Sequence, residues 1–301
     1  MSRRGRYAAD RQLTTRMLVV VFLLGLLYVV AIGVLIGYGI SPVAVLLVVG
    51  GFFAFQYLAS DKVALYAMNA RVVQPAEAPE LHGVVDRLCA LSDTPKPRVA
   101  VADSDVPNAF ATGRSPKRAV VCVTTGLIRR LEPEELEGVL AHELSHVAHR
   151  DVAVMTVASF LGVLAGLITR FALQATMFGG LGRGRRDGKG TPVVIAVVLV
   201  SALVYAVSFL LIRALSRYRE LSADRTAALL TGRPSALASA LTKVTGEMSR
   251  VPTRDLREAE PFNAFFFTPA LAKGFSLSSL FSTHPSLERR LAQLQSMTQA
   301  G

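Results

Sequence analysis

Tryptophan is absent from this 301-residue chain, cysteine occurs twice and histidine five times. Two cysteines, Cys89 and Cys122, exclude a disulfide scaffold and a multi-cysteine metal cluster, and they read as buried, reduced thiols. Charge is scarce too: 18% of residues are Asp, Glu, Lys or Arg, against about 25% in an ordinary soluble domain. With 51% apolar residues the chain is not of the disordered class, and its composition points to a membrane protein. Acidic residues are few beside basic ones, 22 against 33, for a net charge of +11. That excess mostly flanks apolar stretches, where it specifies membrane orientation, and no nucleic-acid motif accompanies it. No nucleic-acid partner is expected.

What the chain does have is long uncharged runs. Residues 17–38, 42–60 and 192–212 carry no charge, and 152–169 is uncharged until Arg170. A helix rises about 1.5 Å per residue, so about 20 residues span a hydrocarbon core. The first, second and fourth runs are long enough, and the third is marginal. Gly37, Gly39 and Pro42 mark a tight turn that makes the first two runs a helical hairpin. The first run is too long for a secretory leader, and no small-residue cleavage pattern follows it.

Five arginines precede the first run, so the N-terminus belongs on the cytoplasmic side, and two crossings return the chain there. The organisation predicted is a basic tail (1–16), a transmembrane hairpin (17–60), a cytoplasmic segment (61–151), a second hairpin (152–215) with a Gly/Arg-rich loop (179–191), and a second cytoplasmic segment (216–301). The positive charge of the 179–191 loop opposes its external placement. The reading adopted is nevertheless four full crossings.

The chemistry-bearing segment is residues 131–150. Pro133 suits a first helical turn, Glu134 and Glu135 suit the positive end of a helix, and Leu136, Val139, Leu140, Leu144 and Val147 form a buried stripe. Within it lies His142-Glu143-x-x-His146. Four residues return to nearly the same helix face, so both imidazoles can reach one ion. Glu143, beside the first of them, reaches a water on that ion rather than the ion itself. Zinc suits imidazole donors and would bring the pKa of such a water towards about 7. The longer metzincin pattern is absent: its glycine position holds His149 and its last histidine position holds Val152. His149 therefore reads as a surface or supporting group.

A third ligand is sought downstream. The stretch from Ser216 reads as a helix stopped by Gly232 and Pro234, with Glu220 and Asp224 four apart on one face. One of these carboxylates can bind the metal while the other holds the free ring nitrogen of a ligand histidine. A solvated acidic stripe paired with Arg217 or Arg225 is the simpler alternative. His146 and Glu220 are separated by 74 positions that contain the third and fourth apolar runs. If those runs pair as a hairpin, its two ends return to one side and the site sits at their cytoplasmic mouth.

Three separated motifs then combine: 142–151 (His-Glu-Leu-Ser-His-Val-Ala-His-Arg-Asp), Tyr218-Arg-Glu220-Leu-Ser-Ala-Asp224, and Ser282-Thr-His284-Pro285 leading to Arg289. With Asn108-Ala109-Phe110-Ala111-Thr112, they resemble the HtpX-like membrane zinc metalloproteases, relatives of the CAAX prenyl endopeptidases. The resemblance spans nearly the whole chain. It implies one zinc ion held by His142, His146 and Glu220, with Glu143 as general base and Asp224 supporting a ligand histidine. It implies that Asn108, Ala109, Phe110, Ala111 and Thr112 form an edge strand on which an extended substrate adds main-chain hydrogen bonds, the other reading being a purely structural strand paired with 119–125. It sets His284 and Arg289 near the site, His284 either holding the oxyanion or opening a helix.

The fold expected is mainly α: four transmembrane helices and a zincin-like α+β metalloprotease domain, with a small sheet from Arg98–Ala102, Ala109–Thr112 and 119–125. The function the resemblance implies is a multi-pass endopeptidase of the cell (inner) membrane, cutting membrane or misfolded proteins from the cytoplasmic side in membrane protein quality control. The other readings are a CAAX-type prenyl-protein endopeptidase, whose relatives have more spans, and a catalytically silent scaffold that keeps the zinc fold. The Phe-rich stretch 262–275 reads as a loop on the membrane, a cleft lining or a satellite core.

Overall fold

The structure, a computed structural model, describes residues 11–37, 68–113, 115–149, 151, 190–248 and 284–299, with scattered positions between 41 and 66 and at 154–155. The expectations for nearly all of 152–169, for 179–189 of the loop and for 262–275 lie outside the described residues, as does most of 42–60, while Gly190 and Thr191, expected in the loop, already belong to a helix. The chain divides into two compact units. One comprises Met1–Thr14, Ala59–Ala153 and Ser216–Gly301; the other comprises Thr15–Leu58 and Val154–Leu215.

The elements run α1 (Arg11–Gly37), β1 (Ala70–Val72), α2 (Pro79–Ser92), β2 (Arg98–Ala102), β3 (Ala109–Thr112), β4 (Val120–Thr124), α3 (Thr125–Arg130), α4 (Pro133–Ala148), α5 (Gly190–Thr231), α6 (Pro234–Met248) and α7 (Leu287–Gln299). The protein is thus mostly helical with one small mixed sheet. Strand order is β1-β2-β4-β3, with β2 and β4 parallel and the outer strands antiparallel to their neighbours. The three strands expected from the sequence are present, and β1 is an addition. Its three residues are too few to show an alternation.

β4 is buried at every position, and its side chains go alternately to two cores. Val121 and Val123 join Val99, Val85, Leu88, Leu140 and Leu144 on the helical side, while Val120 and Cys122 join Ala100, Ala102 and Phe110 on the other. A central strand covered on both faces must be apolar throughout, which is why 120–123 reads Val-Val-Cys-Val. Cys89 and Cys122 are both buried, unpaired thiols, and burial pushes Cys122 up to about 12.

α4 lies on the helical side of the sheet. Its start is fixed by a capping box in which Glu132 and Glu135 satisfy each other's backbone N–H groups, with Pro133 in the first turn. It packs closely on α6: a Cβ on Gly138 would lie 3.3 Å from the Leu237 Cα. Gly126 has no such latitude, because a Cβ there would sit 2.2 Å from the Asp105 carbonyl oxygen. β3 ends at Gly113, whose φ of +128° brings the chain against Ala119 and is open only to glycine.

α5 differs from expectation. The fourth apolar run and the Glu220-bearing helix are one continuous helix of 42 residues. Between Pro192, in its first turn, and Gly232 there is no glycine or proline, so nothing in the backbone interrupts it at the change from apolar to charged sequence. It ends as expected, at Gly232 with φ +68°.

Among the described residues, two helices are long and apolar enough to cross a membrane, over Arg11–Val30 and within Val198–Thr231. In the second unit, Val204 packs on Leu27, Tyr28 and Val200. Phe22, Val29, Leu199 and Leu203 point outward, each more than half exposed. Such continuous outward apolar surface is what a lipid-facing helix presents.

Candidate metal centre

α4 carries His142, Glu143 and His146 on its buried side, and α5 brings Glu220 to meet them. The two oxygens of Glu220 divide between the histidines: Oε2 lies 3.4 Å from His142 Nε2, and Oε1 lies 3.4 Å from His146 Nε2. The rings stand nearly perpendicular, at 89°, with centroids 4.9 Å apart. One donor atom from each of the three residues lies within 4.8 Å of the others, a spacing that a single metal ion can bridge.

The far side of each imidazole is held as well. His142 Nδ1 is 2.9 Å from Asp224 Oδ1, and His146 Nδ1 is 2.8 Å from Asp151 Oδ2. With Nδ1–H donated to its carboxylate, each neutral ring would keep its Nε2 lone pair for a metal, the tautomer such a site needs. The donor set therefore fits a divalent cation. Burial works against the Glu220 carboxylate, but His284, His142 and His146 outweigh it and hold Glu220 well below the ordinary range. Burial likewise opposes Asp224, and Arg290 overrides it through a two-pronged contact of 2.6 and 2.7 Å.

Glu143 is different in kind. Burial pushes its carboxyl up, with only part of the rise cancelled by the imidazoles of His142 and His146. Its carboxylate accepts the backbone N–H of Ala111 in β3. Among the described residues β3 pairs only with β4, and the Asn108 carbonyl accepts from Thr124 N–H on that side. Alternation then turns Ala109 and Ala111 towards the open edge. The structure thus brings Glu143 against the strand formed by Ala109, Phe110, Ala111 and Thr112, with Asn108 buried at its entry.

His284 is buried, its Nδ1 3.1 Å from Glu220 Oε2, three residues before the start of α7. Arg289 does not join it: that side chain is exposed, and Arg290 is the buried arginine of the pair. The helical phase carries the signal, because Arg290 lies three residues after Leu287 and four before Leu294, both of which pack into the core. Asp151 and Arg219 join the site without having been expected there. Their only signal is position, a carboxylate five residues after a candidate ligand and an arginine next to another.

Two histidines on one helix and a carboxylate from a second could thus hold a metal ion between them, with a further carboxylate beside a strand edge. The chain belongs to peptidase family M48, whose model matches residues 75–298, and it is accordingly a metalloprotease. It is 66% identical over 290 residues to "Protease HtpX homolog 1" of Streptomyces coelicolor, covering 96% of this chain and 94% of that one. It is 53% identical to "Protease HtpX homolog 2" of Methanosarcina mazei, covering 98% of each. Among solved structures, S. mikatae Ste24p matches with a TM-score of 0.53 at 19% identity, over 90% of this chain and 62% of that one. At that identity the likeness is one of fold.

Proposed function

We propose that the protein is an integral-membrane, zinc-dependent endopeptidase that hydrolyses peptide bonds of membrane or misfolded proteins at the cytoplasmic face. The observation that carries the proposal is the sharing of one Glu220 carboxylate between two Nε2 atoms, with Glu143 alongside. His142, His146 and Glu220 would hold the ion, and Asp224 and Asp151 would fix the two imidazole tautomers. When bound, zinc supplies a Lewis acid that polarises a peptide carbonyl and acidifies a water molecule.

The chain's own groups do the rest. An extended substrate segment lies along the open edge of β3, aligned by main-chain hydrogen bonds with Ala109 and Ala111. Glu143 takes the proton of the attacking water and hands it to the departing amine. Burial raises its carboxyl above the ordinary range, the direction that favours taking up a proton. His284, beside Glu220, would donate a hydrogen bond to the oxygen that becomes anionic. The outward apolar faces of α1 and α5 support embedding in a bilayer, and the arginines before the first apolar run support a cytoplasmic site in a multi-pass protein.

The test is cleavage of an unfolded protein by the detergent-purified chain, wild type against Glu143→Gln, with zinc measured on both. Full zinc content with proteolysis reduced by about 10²- to 10⁴-fold is the expected result for loss of a proton-transfer group. Comparable cleavage by the two proteins would remove Glu143 from this role, and no cleavage by either would favour a silent scaffold.

A further inference from the structure

The two metal-facing histidines are backed by the same three-part arrangement, although its members come from different parts of the chain. Arg290 on α7 grips Asp224, which holds His142 Nδ1. Arg219 on α5 places its Nε 3.1 Å from Asp151 Oδ2, which holds His146 Nδ1. Both aspartates are fully buried. The second set has an extra feature: Arg219 Nη2 also lies 3.4 Å from His146 Nδ1 itself.

That proximity sets up a choice of tautomer. Nδ1 faces one group that can only accept a proton, Asp151, and one that can only donate, Arg219. While Asp151 is a carboxylate, Nδ1 carries the proton and Nε2 is free to bind an ion. Without the carboxylate, the guanidinium would donate to Nδ1, the ring proton would move to Nε2, and the nitrogen aimed at the metal would be blocked. Arg219 also immediately precedes Glu220, so the link through Asp151 ties the third ligand's helix to the end of α4.

We propose that Asp151 and Arg219 are a positioning pair for the metal: Asp151 sets the His146 tautomer, and Arg219 orients Asp151 while making that setting indispensable. The inference rests on the metal reading of His142, His146 and Glu220, and it predicts an interaction between two substitutions that general destabilisation would not produce.

Zinc affinity is measured by chelator competition on the full-length, detergent-purified protein. Asp151→Asn puts an amide between a donor and an imidazole, which turns the ring into the wrong tautomer, and zinc binding weakens by about 10- to 100-fold. Adding Arg219→Met removes the competing donor, so the double variant binds zinc more tightly than Asp151→Asn alone. Zinc affinity of Asp151→Asn within about threefold of wild type, or further weakening in the double variant, overturns the proposal.

Should Asp151→Asn not fold, nitrogen-15 histidine spectra of the zinc-loaded wild type decide the matter. Nε2 metallation with a retained, low-field Nδ1 proton on His146 supports it, and Nδ1 metallation overturns it. A wild type that takes up no zinc overturns the metal reading itself, whereas a wild type that binds normally beside an unaffected Asp151→Asn overturns only this inference.

Discussion

At the scale of single residues, the site is a set of charges that water no longer screens, and each is tolerable only through its partner. Asp224 and Arg290 are both almost wholly buried and meet through two short contacts. Removing one member of such a pair leaves the other charge stranded, at a cost of about 3–5 kcal/mol. Arg290→Met should therefore lower the unfolding free energy by about that amount. Arg289→Met, on the exposed side of the same helix, should stay within about 0.5 kcal/mol of wild type. Thermal or denaturant unfolding of the two variants in one detergent checks the contrast, and equal effects would mean that the pair contributes little.

The same scale shows what could be read from the sequence. His142, Glu143 and His146 were legible because their spacing and the helix that carries them are local facts. Glu220 and Asp224 were legible as a pair on one face, but spacing alone left open which of them faces the metal. Asp151, Arg219 and Arg290 act across elements far apart in the chain, and only tertiary packing makes them neighbours.

At the scale of elements, α4 is the organising piece, and it is anchored to α6 at its first turn. Glu135 receives Ser239 Oγ at 2.6 Å, Lys243 Nζ at 2.8 Å and the Glu132 N–H at 2.9 Å. Burial works to raise the Glu135 carboxyl, yet these donors together hold it below the ordinary range. A carboxylate with a depressed folded-state pKa adds stability that is complete above its unfolded value, about 4.3, and is lost as pH falls through the folded value. Lys243→Met should cost about 1 kcal/mol at neutral pH, a modest figure because the lysine is partly exposed. The gap from wild type should shrink as the solution is acidified below the ordinary glutamate range. A gap that stays constant, or widens with acid, would show that Lys243 does not act through Glu135.

The elements also mark the reach of pattern reading. Strands β2, β3 and β4 announce themselves by apolar runs bounded by Pro, Gly and charged residues. β1 is too short to do so, and α5 was divided at a change of composition that the backbone ignores.

At the scale of the whole molecule, the compact unit that contains His142, His146 and Glu220 is assembled from three separated stretches of chain, Met1–Thr14, Ala59–Ala153 and Ser216–Gly301. A metal held by His142 and His146 from one stretch and Glu220 from another would therefore bind the folded state and hardly the unfolded one. At a free zinc concentration of about 100 times the dissociation constant, linkage adds about 2.7 kcal/mol to stability. Stripping the purified protein with a chelator should lower its melting temperature, and restoring zinc should recover it. A melting temperature indifferent to the metal would argue that the three residues do not bind it together. The two apolar helices among the described residues agree with the membrane character read from composition.

The most direct test of the central claim is anomalous diffraction at the zinc absorption edge from crystals of the zinc-loaded protein. One peak per chain is expected, about 2.0–2.2 Å from His142 Nε2, His146 Nε2 and a Glu220 carboxylate oxygen. A zinc-loaded crystal with no peak between those three side chains, or with its peak elsewhere, would contradict it.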